Sequence, residues 1–249
     1  MIQIIYVMWK RQLKKYWRSK ARMIGSLGQP ILFLVALGFG FGQIYQEAGA
    51  GNYLQFLAPG IIAMSILFSA MFMGIEIIWD RQFGFLKETL VAPVPRSVIM
   101  VGRTLGGATV AFLQGAIILL ISMLIGFKIT NWIEFPLAIL FMILISVLFT
   151  ALGTAIASKM EDMQAFPLII NFIIMPLFFL SGALFPIENI PRALEITLNL
   201  NPLTYGIDGL RASLNGASHF GLVLDLAVMI IVTLIISLIG TYSFERIEI

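Results

Sequence analysis

FLAPGIIAMSILFSAMFMGIEIIW, residues 56–79, runs directly into DRQFGFLKETLVAPVPRS, residues 80–97. The first string is apolar over a length that lets one helix cross roughly 30 Å of hydrocarbon. The second carries Asp80, Arg81, Lys87, Glu88 and Arg96, and it ends in Pro93 and Pro95, which stop a helix. Just beyond, 104–126 is apolar again. Two membrane-length runs joined by a charged, proline-stopped segment predict an all-α integral membrane protein with a structured link between its spans.

The pattern recurs outward. Membrane-length stretches lie near 23–44, 56–79, 104–126, 135–157, 166–184 and 222–243. Of the 249 residues, 59% are hydrophobic and 12% charged, where a soluble domain has about 25% charged residues. One soluble domain of this size cannot hide so much apolar surface. Residues 23–249 therefore read as one six-helix membrane domain, preceded by a separate segment, 1–22.

Lysine and arginine set the orientation. Lys10, Arg11, Lys14, Lys15, Arg18, Lys20 and Arg22 precede the first span. Arg81, Lys87 and Arg96 lie between the second and third, with Arg103 at the mouth of the third. Lys159 follows the fourth and Arg246 the sixth. The other side holds Lys128, Arg192 and Arg211. This bias predicts a multi-pass protein of the cytoplasmic membrane with both termini in the cytoplasm. An odd number of spans would mix the two groups.

Residues 1–22 form an amphipathic helix. Ile2, Ile5, Trp9, Leu13, Tyr16 and Trp17 share one face, and Arg11, Lys14, Lys15, Arg18 and Arg22 the opposite one. Such a helix lies in the membrane plane, with Trp9 and Trp17 at headgroup depth and its cations toward anionic lipid. The same residues also serve as a plain topology signal, and the two roles are compatible. No small-residue cleavage site follows at signal-peptide spacing.

The long external piece, 185–221, reads as a helical hairpin. Asn189 and Pro191 suit one helix start. Asn201 with Pro202 suits a second, as an N-cap followed by proline in the first turn. Leu203, Ile207, Leu210 and Leu214 recur at helical spacing, and Gly216 can close the helix. An apolar stripe there must meet lipid or the spans, which predicts a lid or a re-entrant hairpin in the outer leaflet.

Several chemistries are excluded. There is no cysteine, hence no disulfide or thiolate metal site. A net charge of +3 is too slight to point to nucleic acid. GFGFGQ at 38–43 lies in an apolar span and lacks the Gly-Lys-Ser/Thr ending of a phosphate loop. Gly38, Gly42, Gly102 and Gly106 read as close-packing positions. His219 has no second metal ligand at suitable spacing. Ser181 reads as a packing residue. No catalytic residue is expected, and any ATP must be hydrolysed by another chain.

On a helical wheel of 81–91, Phe83, Leu86 and Leu90 fall on one side and Arg81, Glu88 and Thr89 on the other. Phe85 falls among the polar residues. One face can rest on the span ends, and the other offers charges and an aromatic ring that a partner can bury. The plainer alternative is a connecting loop whose phenylalanine folds back to the bilayer. Within the spans, Glu76 pairs with Arg81 or Arg103 or reaches the interface, and Asp225 meets external water. Asn171, with Phe172, Met175 and Phe179, marks a candidate pathway lining in the fifth span. Packing against neighbouring helices is the alternative for each of the four.

The chain resembles the ABC-2 type permease family, the membrane subunits of ATP-driven exporters, and especially the drug-resistance and nodulation-factor branch. WDRQFGFLKETLVAPVPRSVIMVGRTLGGATVAFLQG carries the main likeness, and FFLSGALFPIENIP with NPLTYGIDGLR carries the second. Asp80 stands where many members have Glu. The resemblance implies that 81–92 is a coupling helix seated in a groove of an ATPase subunit. Arg81, Gly84, Leu86, Glu88 and Pro93 lie on the family pattern; Phe83, Phe85 and Lys87 complete the set. It also implies a connecting role for the N-terminal helix, a hairpin that caps the pathway, and a cavity faced by the second and fifth spans. ATP and Mg²⁺ would reside on the partner subunit, and the permease would pair with a second copy or a paralogue. The apolar, methionine-bearing spans favour an amphipathic or lipid-like cargo, moved outward as in multidrug efflux. A polysaccharide or glycolipid exporter is the alternative within the family. An ATP-independent channel or secondary carrier, and a structural anchor, are the alternatives outside it.

Overall fold

The computed structural model describes residues 1–47, 51–91, 93–187 and 191–247, the side chain of Leu90 excepted. Every regular element among them is a helix. In order these are α1 Ile2–Arg18, α2 Lys20–Gly40, α3 Gly42–Glu47, α4 Tyr53–Phe72, α5 Ile75–Gln82 and α6 Phe85–Val91. There follow α7 Arg96–Ile125, α8 Phe135–Ser158, α9 Ala165–Phe179, α10 Arg192–Leu200, α11 Pro202–Asn215 and α12 Leu222–Glu245.

Among the described residues, five helical stretches are long and apolar enough to cross a membrane: α2, the run Tyr53–Gln82 that joins α4 to α5, α7, α8 and α12. The stretch expected at 166–184 appears as α9, which is apolar but only 15 residues long. At 1.5 Å per residue it reaches roughly 22 Å. It ends in a turn at Leu180, where Asn201 Nδ2 donates to the Leu177 and Leu180 carbonyls at 2.7 and 3.0 Å.

The centre of the bundle is α4. Its residues are apolar all round, and from Leu57 to Leu67 every one is buried. Lipid gives helices no hydrophobic reason to associate, so small residues that admit close contact decide the packing. Gly60 abuts the backbone of Ala183, and a Cβ there would lie 2.5 Å from its carbonyl oxygen. Gly74, at the joint between α4 and α5, abuts the backbone of Gly153 in α8. Gly38 touches Leu54, as a close-packing residue should, whereas Gly42 faces open space and packs nothing.

The N-terminal helix runs alongside the first half of α7, in the same direction. Ile5 and Met8 meet Gly102, and Trp9 and Gln12 meet Gly106. Trp9 Nε1 donates to Thr109 Oγ1 at 3.0 Å, and Gln114 Nε2 donates to the Tyr16 hydroxyl at 2.8 Å. Gly102 and Gly106 thus make the bed in which α1 lies, and Met8, Gln12 and Tyr16 form its buried stripe. The far end of the chain returns to the same place. Gly240 of α12 meets the side chain of Met100, and Arg96 Nη1 donates to the carbonyls of Glu245 and Ile247. Both chain ends therefore share one end of the bundle.

At the opposite end, α11 is inserted among α4, α8 and α12. Asn201 caps it by accepting from Leu203 N at 3.0 Å, and Gly216 closes it at φ 76°. Its Leu203, Ile207, Leu210 and Leu214 are all fully buried. The apolar stripe is covered by spans. In contrast, α10 exposes Leu194, Ile196 and Leu200. The expected helix start at Asn189 lies outside the described residues; the resolved cap of α10 is Pro191.

Candidate functional site

The segment 81–91 is two elements. α5 carries the second apolar stretch down to Gln82, and the chain turns at Phe83 and Gly84 before α6 begins. Gly84 adopts φ 79°, a left-handed conformation that costs glycine little and stops the preceding helix. The expected stripe of Phe83, Leu86 and Leu90 is thereby broken. Leu86 is fully buried and anchors α6 to the bundle, Phe83 is 68% exposed, and the Leu90 side chain lies outside the described residues. Phe85 is 53% exposed at the start of α6. Lys87, Glu88 and Pro93 are exposed as well. The result is a short foot with one apolar anchor and a pair of aromatic rings facing outward.

The foot is braced from the side. Arg81 Nη1 donates to the Met160 carbonyl at 3.2 Å, and Gln82 Nε2 donates to the Glu161 carbonyl at 3.1 Å. These contacts tie it to the link between α8 and α9. Beside them opens a groove of about 390 Å³ whose charged lining is Arg81, Lys159, Arg246 and Glu161. It is rich in cations and open at the same end as the foot.

Behind the foot stands an ion cluster built on two buried carboxylates. Glu76 and Asp80 are one helical turn apart on α5, so they face the same way. Glu76 takes Arg22 at 2.8 Å and Lys15 at 3.5 Å. Asp80 takes Arg11 at 3.1 Å and Lys15 at 3.3 Å, and it also pairs with buried Arg103 of α7. The expectation for Glu76 changes accordingly. Its partners come from α1 and the start of α2, because α1 lies against α7 and turns its cations onto α5. Arg81, by contrast, bonds to the α8–α9 link. Burial holds the Lys15 amine below its ordinary value, with Glu76 opposing the shift. Of the remaining residues expected at the lipid interface, Lys14, Arg18 and Trp17 are exposed, whereas Trp9 packs on α7 and Arg11 on Asp80.

The four candidate lining residues sit together on α9. Phe166, Ile170, Ile174 and Phe178 form its buried face. Asn171, Phe172, Met175 and Phe179 lie on the open one, with Phe172 at 81% exposure. Asp225 differs from expectation. It is fully buried at the start of α12, and neither carboxylate oxygen has a hydrogen-bond partner among the described residues. On α11, Asp208 holds the turn that leads into α12 by accepting from Ser218 Oγ and from the backbone N–H groups of His219 and Phe220.

Residues 3–215 match the sequence profile of the family described as ABC-2 type transporter. The chain belongs to that family. Membership in this family implies an ABC ATPase partner. The relatives agree. Nodulation protein J of Rhizobium leguminosarum bv. viciae is 27% identical over 97% of this chain and 91% of its own length. Inner membrane transport permease YadH of Escherichia coli strain K12 is 26% identical over 90% of this chain and 87% of its own length. The protein is a multi-pass membrane permease of an ABC transporter.

Sequence reading missed the cluster as a unit. A signal was present: Glu76 and Asp80 are i, i+4 carboxylates at the end of an apolar run, in a chain that opens with a cationic helix face. It also passed over Gln114, the lone amide within the apolar stretch 104–126.

Proposed function

We propose that two copies of this chain form the membrane pathway of an exporter that moves an amphipathic or lipid-like substrate out of the cytoplasm. A separate ATPase subunit binds ATP and Mg²⁺ and docks on the foot, residues 81–92. Closure of the two ATPase subunits pushes the foot, and through it α5 and α4. The observation that carries this reading is the foot itself: Phe83 and Phe85 project beside a buried Leu86 anchor, at the end of the bundle that holds both chain ends. Exposed aromatic rings of this kind are favourable only when a partner buries them.

In the proposed topology α9 is the fifth of six spans, the foot and both termini are cytoplasmic, and α10 and α11 cap the pathway on the other side. The open face of α9, where the Asn171 amide stands among apolar side chains that include Leu168, Phe172, Met175 and Phe179, supports an amphipathic cargo over a polar one. The test is Phe85→Ala in the permease–ATPase complex. Substrate-stimulated ATPase activity should fall while membrane insertion and expression hold. Unchanged transport in that variant would remove Phe85 from the coupling role. Ion or solute flux through liposomes containing this chain alone would favour a channel or carrier instead.

A further inference from the structure

Between α2, α4, α5 and α7 lies a cavity of about 410 Å³. It falls within the range of about 300–1,000 Å³ typical of ligand sites. Its walls include Pro30, Phe68, Phe72 and Ile75, which can hold only hydrocarbon. Arg22, Ser26, Gln29 and Gln114 line it as well, so one molecule must offer both an apolar body and a polar head.

The polar lining is a built site. Gln114 is 1% exposed, and its Nε2 is spent on the Tyr16 hydroxyl and on Ser26 Oγ, at 2.8 and 2.6 Å. Its Oε1 has no partner among the described residues. A buried acceptor left unpaired costs about 1–3 kcal/mol, so the site calls for a hydrogen-bond donor. Arg22 gives one nitrogen to Glu76 and lies over the Trp79 ring, with its guanidinium carbon 5.3 Å from the ring centre. A guanidinium carries five N–H donors, and one is used there. Arg22 also belongs to the ion cluster, in which, among the described residues, Arg11, Lys15, Arg22 and Arg103 face only Glu76 and Asp80. Four cations on two carboxylates leave the neighbourhood positive, and an apolar cavity beside an uncompensated positive charge selects an anionic amphiphile.

We infer that this cavity is a binding site for an anionic phospholipid of the surrounding bilayer, one whose headgroup carries hydroxyl donors. The phosphate sits at Arg22, a headgroup hydroxyl donates to Gln114 Oε1, and acyl chain fills the space beside Phe68 and Phe72. The lipid comes from the leaflet on the side of the foot, because Arg22 is tied to Glu76 on α5. The site is separate from the open face of α9, and its assignment does not depend on what the permease transports.

The experiment uses the full chain purified in neutral detergent, with phosphatidylglycerol or phosphatidylcholine of matched acyl chains added, read by native mass spectrometry. The wild type should retain phosphatidylglycerol in preference to phosphatidylcholine. Arg22→Gln should cut that preference about fivefold, the weight of one cation near an anionic lipid. Because Arg22→Gln also unpairs Glu76, a second variant is needed. Gly25 lines the cavity, and a Cβ there meets no atom of the described residues within 4 Å, so Gly25→Trp brings an indole to the cavity wall without a clash at its Cβ. It should bring retention of phosphatidylglycerol down to that of phosphatidylcholine. Equal retention of the two lipids by the wild type overturns the inference, as does a phosphatidylglycerol preference that survives Gly25→Trp.

Discussion

Asp80 shows how much one carboxylate can organise. It collects Arg11, Lys15 and Arg103, and Arg103 is itself buried. Breaking a buried pair by removing one partner leaves an uncompensated charge, which costs about 3–5 kcal/mol. Asp80→Asn should therefore lower the unfolding temperature of the detergent-solubilised permease markedly. Adding Arg103→Met in the same chain should restore part of the loss, since the stranded cation is then gone. A small shift in the single variant, or no recovery in the double one, would show that the cluster adds little. Gly84 teaches a complementary lesson at the same scale. A wheel drawn through 81–91 assumes one continuous helix, but a single left-handed residue resets the phase and sends Phe83 outward. That glycine was visible in the sequence; its positive φ was not.

Among the elements, five of the six membrane-length stretches were legible because hydrocarbon thickness imposes one length on every crossing helix, whereas the stretch at 166–184 is the shorter α9. The helix at Pro202 was legible too, since Asn-Pro and Gly216 punctuate it at both ends. The partner of the N-terminal helix was not. Its amphipathic pattern states that one face seeks apolar surroundings, and both lipid and a neighbouring span satisfy that demand. The choice was made by Gly102 and Gly106, which let α1 approach α7 closely. A side chain at Gly106 would have its Cβ 2.6 Å from Gln12 Cβ. Gly106→Leu should push α1 away from α7. The chain is cysteine-free, so a Met8→Cys probe reports on this without background. Maleimide labelling of buried Met8→Cys should be slow in the parent and should approach the rate of an exposed Lys14→Cys when Gly106→Leu is added. Equal slow labelling in both would mean that α1 stays in place.

For the whole molecule, both chain ends meet near the start of α7, and this fits an even number of crossings. With α9 counted as a span, tags at the N- and C-termini should both be accessible from the cytoplasm in inverted vesicles and protected in intact cells. Tags found on opposite sides would leave α9 as a helix that does not cross. The ion cluster, the foot and the cation-lined groove all lie toward the end that would carry those tags. Under the proposed docking, that placement would give a route for force: from the motor into α6, through Leu86 into the bundle, and through α5 to the joint at Gly74. The most direct check of this route is cross-linking from position 85. In membranes holding the permease with its ATPase subunit, Phe85→Cys treated with a short bifunctional cross-linker should capture the ATPase in a nucleotide-dependent yield. A cysteine there that reacts only from the extracytoplasmic side, or that never captures the ATPase while the complex still transports, would contradict the account.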